Sequence, residues 1–206
     1  GCSAEAAHVK NVFRCLCNFD TTDIVQAASI GGTVDRSKSI ILITSNAATN
    51  TQDQGNFFTA QFEDDSTITI NRSGGAYYAA VAWQVIEFAY GVSVQRGISS
   101  IQAKVLTKQI AISSIDTAKS LPIIYTQNTE TASTITDQMF LIPTFADSTT
   151  LQLDRKKSTG TKAINITWQV ATFTADADVY TGLTNMPVPA SDTYDQVVTT
   201  TQTLKN

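Results

Sequence analysis

The sequence predicts an all-β fold of two tandem antiparallel β-sandwich modules, with an N-terminal strand segment and a C-terminal arm. Its apolar residues follow a period of two rather than 3.6, and Gly and Asn/Asp turns separate the segments at regular spacing. Three segments also recur in the same order: TVDRSKS (33–39) as SIDTAKS (114–120), DDSTITINR (64–72) as DSTTLQLDR (147–155), and AVAWQVIEF (80–88) as NITWQVATF (165–173). Such repetition defines the building unit, which here has about 80 residues.

The strands of each unit follow its apolar segments in order. In the first unit, an isoleucine-rich run leads into a polar loop at 45–56, and the longest strand carries Trp83. In the second unit the polar loop lies at 127–138, and Pro122 stands near a strand start, where a missing N–H donor is tolerated. The predicted strands are 39–44, 57–62, 66–72, 78–88 and 92–97, then 121–126, 139–145, 149–155 and 164–173.

These patterns divide the chain into four regions: an N-terminal segment at 1–26, a first module at 27–100, a second module at 101–184 and an arm at 185–206. The N-terminal segment matches the end of a module, since 16–19 and 24–26 align with 85–88 and 92–95. We expect it either to remain from a longer parent or to complete a sheet by pairing elsewhere. We expect the arm to dock on the body or on a neighbour.

Composition argues against several classes of partner. Charged residues make up 16% of the chain, below the usual level of about 25%. Polar uncharged residues take their place, as is typical of extracellular and virion β-proteins. The net charge is −4 and the basic residues are scattered, so there is no basic stripe for nucleic acid. No apolar run approaches the ~18 residues that span a bilayer. We therefore expect neither a nucleic-acid partner nor a membrane.

The residues offer little for catalysis. The single histidine, His8, lies outside both modules, and the paired carboxylates lie in polar turns where burial would not raise a pKa. Zinc-protease, phosphate-loop and dinucleotide motifs are absent from the sequence. We therefore predict that the protein is not an enzyme and has no catalytic, cofactor-binding or metal-binding residues.

All three cysteines lie within the first 17 residues: Cys2, Cys15 and Cys17. Buried free thiols, a link from Cys2 to one of the pair or to a neighbouring subunit, and a metal site all fit this pattern. The modules contain no cysteine, so their folding does not depend on disulfides. A tether of the terminal segment in an oxidising particle explains the cluster better. We predict that Cys2 and at least one of Cys15 and Cys17 are disulfide-bonded.

Several residues occupy equal places in the two units. A large ring on the inward face of a central strand is typical of a core, whereas an outward ring could stack on a sugar. We assign four aromatic residues of the long strands to the core: Trp83, Phe88, Trp168 and Phe173. Two acid–arginine pairs are predicted to be repeated salt bridges, or else a repeated ligand or subunit contact: Asp64 with Arg72, and Asp147 with Arg155.

The repeated pattern DxxKS…F…DST…R…WQV…F, read at 34–97 and again at 115–182, resembles a tandem module of bacteriophage virion proteins and of large secreted bacterial proteins. Its layout is similar to the H-type lectin-like β-sandwich. The resemblance implies a small antiparallel sandwich closed by a strand that carries a tryptophan. The second unit departs from the pattern with Thr172 in place of Glu87 and Tyr180 in place of Gln95. A role of Glu87 or Gln95 is therefore not shared by both units.

Together these observations predict a structural virion protein of a tailed bacteriophage, such as a capsid decoration, collar or tail accessory protein. Its expected partners are other virion proteins and copies of itself, and its expected location is the virion or the extracellular space. The alternative is a carbohydrate-binding, adhesive lectin-like surface protein that uses the loops at 45–56 and 127–138. Lectin loops should carry outward aromatic residues, and neither loop contains an aromatic residue, which favours the structural role.

Overall fold

The computed structural model describes residues 8–47, 54–75, 77–129, 140–155, 163–174 and 179. Over these ranges the secondary structure consists of twelve strands and three short 3-10 helices, with no α-helix among them. The prediction of an all-β fold class is therefore confirmed. The predicted C-terminal arm at 185–206 lies outside the described residues.

The elements follow the apolar segments of the sequence. The strands are β1 His8–Phe19, β2 Val25–Ser29, β3 Ser39–Ala47, β4 Phe58–Phe62, β5 Thr67–Arg72, β6 Ala79–Tyr90, β7 Val92–Ile101, β8 Thr107–Ala111, β9 Ser120–Asn128, β10 Leu141–Asp147, β11 Thr150–Arg155 and β12 Ile164–Phe173. The 3-10 helices are η1 Arg36–Lys38, η2 Gln54–Asn56 and η3 Thr117–Lys119. Helices η1 and η3 begin alike, because the side chains of Asp35 and Asp116 accept backbone N–H groups two residues later.

The strands form four antiparallel sheets of three strands each. Sheet A has the order β1-β6-β3 and sheet B the order β2-β5-β4, while sheet C has the order β7-β12-β9 and sheet D the order β8-β11-β10. Strands β7–β12 thus pair in the same order as β1–β6, so a repeat of strand pairing accompanies the repeat of sequence. We refer to β1–β6 as the N-terminal half and to β7–β12 as the C-terminal half.

The pairing of the N-terminal segment corrects its predicted alignment. Strand β1 pairs with β6 and β2 with β5, whereas β7, which we predicted to close the first module, pairs with β12. Phe19 lies opposite Ala79 as Ile101 lies opposite Ile164, and Phe19 and Ile101 are both buried. The N-terminal segment therefore corresponds to β7 and β8. The predicted module boundaries at 27 and 101 thus fall between strands that pair with each other. Because all strands share a period of two, the hydrophobic pattern alone does not determine which strands the N-terminal segment corresponds to.

Each pair of sheets shares an apolar cluster. Sheets A and B contribute to one cluster and sheets C and D to a second, because strands such as β5 and β11 alternate buried and half-buried residues. Trp83 lies in the first cluster and Trp168 in the second. Phe88 and Phe173 lie in a third cluster, where their ring centroids are 6.0 Å apart. These two phenylalanines therefore lie where the halves meet, not inside either half.

The predicted acid–arginine salt bridges are not formed. Asp64 precedes β5 and Arg72 ends it, and Asp147 and Arg155 stand in the same relation to β11. Five residue steps along a strand span roughly 17 Å, so the charges of each pair lie at opposite strand ends. The Asp64 carboxylate instead accepts the N–H of Ser66 at 2.7 Å and its hydroxyl at 2.9 Å, which lowers the pKa of Asp64. Asp147 makes the equivalent bonds, so both carboxylates shape turns.

Glu87 is a buried carboxylate that joins β6 to β1 and to the turn before η1. Its side chain is 1% exposed and accepts hydrogen bonds from Lys10 Nζ at 2.9 Å, Asn11 Nδ2 at 2.8 Å and the Asp35 N–H at 3.1 Å. Desolvation opposes ionisation, but the bonds from Asn11, Asp35 and Lys10 outweigh it, so the pKa of Glu87 lies below its usual value. Thr172 takes this place in the C-terminal half, so the link belongs to the N-terminal half alone.

We expect Glu87→Gln to flatten the acid side of the stability profile. The folded pKa of Glu87 lies below the ordinary value of 4.5. Its stabilisation is therefore complete above that value and is lost as the pH falls through the folded pKa. Urea titrations between about pH 5 and pH 3 should show a steeper fall for the wild type than for the variant. The other carboxylates remain in both proteins, so equal slopes would show that ionised Glu87 does not stabilise the fold.

Gly97 leaves room for the ring of Trp168, which lies directly opposite it. A Cβ atom at Gly97 would lie 2.6 Å from Cζ2 of Trp168, closer than real contacts allow. We expect Gly97→Ala to lower the free energy of unfolding by about 1–3 kcal/mol, since the ring must shift in a packed cluster. The matched control is Cys15→Ala, because exposed Cys15 lies opposite Trp83 and already carries a Cβ. Chemical unfolding of both variants measures the difference, and equal midpoints would contradict the argument.

Candidate functional site

The outer face of sheet C covers the free edge of β3. This contact shows which groups the outer face of a sheet can bind. The Oε1 atom of Gln169 accepts the N–H of Ile41 at 2.9 Å, and its Nε2 donates to the carbonyl oxygen of Ile41, also at 2.9 Å. Both residues are buried. The side-chain amide of β12 thus pairs with the strand edge as the peptide group of a further strand would, and so closes an edge that would otherwise remain open.

Two further residues of sheet C complete this contact. The hydroxyl of Tyr125 accepts the next outward N–H of β3 at 2.9 Å. The guanidinium of Arg96 donates to the carbonyl oxygens of Arg36 and Ser39, the latter at 2.7 Å, and lies 4.6 Å from the ring centroid of Phe62. Burial, and then the positive charge of Arg36, lower the pKa of Arg96 to about 10. Arg96 is therefore still charged at neutral pH, and its hydrogen bonds are charge-assisted.

The outer face of sheet A carries the same residue types at the same register positions. Gln84 lies opposite Arg14, as Gln169 lies opposite Arg96. The two glutamines follow the two tryptophans of the repeated long strand. The repeat has therefore preserved, on the N-terminal half, the amide and the guanidinium that bind a strand edge on the C-terminal half.

On sheet A this set of residues is uncovered. Val12, which occupies the place of Val94, is 41% exposed, and Leu16 is 63% exposed. Arg14 and Gln84 are exposed, and within the described ranges their side chains make no hydrogen bond. Exposed apolar side chains on an edge strand are typical of an interaction surface. We name Val12, Arg14, Leu16 and Gln84 the outer patch of sheet A.

A pocket of about 310 Å³ lies further along the same sheet. Asn18 on β1, Ala80 on β6 and Asn46 on β3 lie side by side in register, so the small Ala80 separates two amides. Tyr78, which precedes β6, is 61% exposed and also lines the pocket. Among the described residues, Phe19 and Ala79 also line the pocket. The pocket therefore combines two carboxamides with the exposed ring of Tyr78 and the buried ring of Phe19.

Cys15 and Cys17 are free thiols on β1, with Cys15 exposed and Cys17 half-buried. Neither forms the predicted disulfide within the chain, and Cys2 lies outside the described residues. Burial raises the pKa of Cys17; the indole of Trp83 partly offsets this, and Cys15 raises it further. The thiolate of Cys17 is therefore disfavoured at neutral pH. A disulfide from this strand to a neighbouring subunit stays a prediction, with Cys15 the more accessible partner.

The described ranges bring no three His, Cys, Asp or Glu side chains together in a group that could hold a metal ion. No helix in the described part of the chain has the length and hydropathy needed to cross a membrane. The outer patch and the pocket offer hydrogen bonds, one guanidinium charge and apolar contact. These groups suit binding.

Comparison with protein families, with curated proteins and with solved structures finds no match to this chain.

Sequence reasoning missed the polar residues on the outer faces of sheets A and C. Gln84 and Gln169 follow the repeated tryptophans, but the sequence pattern predicted a role for the tryptophan rings alone. The equivalence of Arg14 and Arg96 was hidden by the incorrect alignment of the N-terminal segment. Aligning residues 10–19 with 92–101 would have shown it. Tyr78 stood at the start of a predicted strand, and no local signal marked its ring as exposed.

Proposed function

We propose that the chain is a structural subunit of a tailed-bacteriophage virion, built from two tandem β-sandwich modules that correspond to its two halves. The shared apolar cluster of each pair of sheets supports the modules. The resemblance of the repeated sequence pattern supports the virion, with a decoration, collar or tail accessory position. The single observation that carries an assembly role is the uncovered outer patch of sheet A.

The argument for assembly comes from the contact within the chain. On sheet C, the amide of Gln169 and the guanidinium of Arg96 bind the edge of β3 and the turn before it. The outer patch of sheet A offers the same groups, Gln84 and Arg14, to a strand edge of another subunit. That subunit is a second copy or another virion protein. Structural proteins of this kind act through the area that they bury, with interfaces of about 1,200–2,000 Å² or more.

The outer patch is tested by incorporation into particles. Mass spectrometry of purified virions should find the protein in fixed proportion to the major particle proteins. We expect the double variant Val12→Asp and Leu16→Asp to lower incorporation at least about tenfold, because two charges would enter an apolar contact. Val105→Asp, at another exposed apolar position, is the matched control and should leave incorporation unchanged.

Two results would contradict the proposal. One is recovery of the protein as a freely soluble monomer in cells that carry no phage or prophage genes. The other is normal incorporation of the double variant, which would place the assembly contact elsewhere on the molecule.

A further inference from the structure

We infer that the pocket between Asn18 and Asn46 is a binding site for a neutral sugar. This function goes beyond the structural role and does not depend on it. The pocket volume of about 310 Å³ lies at the lower end of the range of small-molecule sites, about 300–1,000 Å³. A pocket of this size holds one or two sugar rings rather than an extended polymer.

The two amides are spaced to hold a single ring between them. Asn18 and Asn46 lie on the two strands that flank β6, with Ala80 between them in register. Their Cα atoms are therefore two strand spacings apart, about 10 Å. Each carboxamide offers two N–H donors and a carbonyl acceptor. Neighbouring hydroxyls of a sugar also both donate and accept, so each amide can bind one edge of the ring. In the described ranges neither amide has a partner within the protein.

Tyr78 supplies the apolar contact that sugar binding also requires. Its ring is 61% exposed and lines the pocket. A tyrosine ring presents an apolar face and a polar hydroxyl, which match the C–H face and the hydroxyl edge of a sugar. The floor is the small side chain of Ala80, which leaves space above the sheet.

The charge of the pocket selects a neutral ligand. Among the described residues that line it, none is Lys, Arg or His, so they offer no positive partner to an anionic sugar. Sialylated, sulfated or phosphorylated groups are bound best by charge-assisted hydrogen bonds, which this lining does not provide. A neutral glycan has no charge to desolvate.

The C-terminal half shows the same positions without the pocket's chemistry. Ser100, Asn165 and Gln127 take the places of Asn18, Ala80 and Asn46. Asn165 replaces the small Ala80 of the pocket floor. The side-chain carbonyl of Gln127 accepts a hydrogen bond from the Thr59 hydroxyl at 3.0 Å, in the contact between the halves. Ala163, which precedes β12, replaces Tyr78. The two halves share a pairing order, but among the described residues only those of the N-terminal half combine two unbound amides with an exposed ring.

The experiment applies the full chain to an array of neutral, sialylated and sulfated glycans, followed by titration calorimetry with the strongest neutral binder. We expect binding to neutral glycans. Tyr78→Ala should weaken it about tenfold, because it removes the aromatic face on which the sugar ring stacks. The double variant Asn18→Ala and Asn46→Ala should reduce binding to background.

A conservative variant and a control keep the result specific. Tyr78→Phe keeps the ring but loses the hydroxyl, so its affinity should lie between those of the wild type and Tyr78→Ala. Tyr90→Ala removes a half-exposed tyrosine outside the pocket and should bind normally. An array that shows no neutral binder, binding confined to anionic glycans, or full binding by the Tyr78→Ala and double asparagine variants would each overturn the inference. None of these results would affect the assembly role, which is tested on the outer patch.

Discussion

Gln169→Ala is expected to lower the free energy of unfolding by about 2–4 kcal/mol, because it removes both hydrogen bonds to Ile41. The N–H of Ile41 lies at a buried strand edge and loses its partner when the amide is removed. The carbonyl oxygen of Ile41 keeps only the longer hydrogen bond from the Tyr125 hydroxyl, at 3.4 Å. Such an unsatisfied buried group costs about 1–3 kcal/mol. The cavity left by the side chain adds to this cost. Urea unfolding at neutral pH measures the change.

The matched control is Gln84→Ala, at the same register position of sheet A. Gln84 is exposed, so its removal should change stability by less than about 0.5 kcal/mol in the dilute protein. The same variant should weaken association through the outer patch. A Gln169 variant as stable as the Gln84 variant would show that the edge of β3 does not depend on the amide.

The fold class and the repeat could be predicted because they depend on local pattern. Alternation along segments such as Thr67–Arg72 and Thr150–Arg155 is dictated by one buried face. In the structure each of these strands begins one residue after its predicted start and ends at the predicted arginine. The alignment of the N-terminal segment could not be predicted in this way. A strand signal gives the face of each residue but not its partner, and the partner of β1 lies about 70 residues away in the chain.

The site was less accessible to sequence reasoning, because it depends on which faces remain uncovered. Gln84 and Gln169 have the same neighbours in sequence, yet one is exposed and the other is buried. That difference arises from packing between the halves, which no local pattern records. The same holds for Arg72: its position predicts an acidic partner, whereas its guanidinium donates to the backbone carbonyls of Asp23 and Tyr77, which lie in the segments between strands.

Arg72→Met is expected to lower the free energy of unfolding by about 3–5 kcal/mol. The fully buried guanidinium of Arg72 donates to the carbonyl oxygens of Asp23 and Tyr77, each at 2.7 Å, and to that of Asp20. It also lies 5.2 Å from the ring centroid of Phe19. Methionine fills similar space but leaves the three carbonyls without their charged donor. Hydrogen bonds to a charged group contribute about 1.5–3 kcal/mol each, and they are not additive.

The same change should also damage the pocket, because Arg72 holds both of its sides. Asp20 follows the strand that carries Asn18, and Tyr77 directly precedes Tyr78. Arg36→Met is the matched control: Arg36 pairs with Asp65 at 2.7 Å, but their side chains are 46% and 62% exposed. An ion pair so exposed contributes at most about 1 kcal/mol. Urea unfolding and glycan titration should therefore separate the two variants. If Arg72→Met were no less stable than Arg36→Met, the three carbonyl bonds would not hold the turn in place. If it were less stable yet bound neutral glycan as the wild type does, Arg72 would support the fold without positioning the pocket.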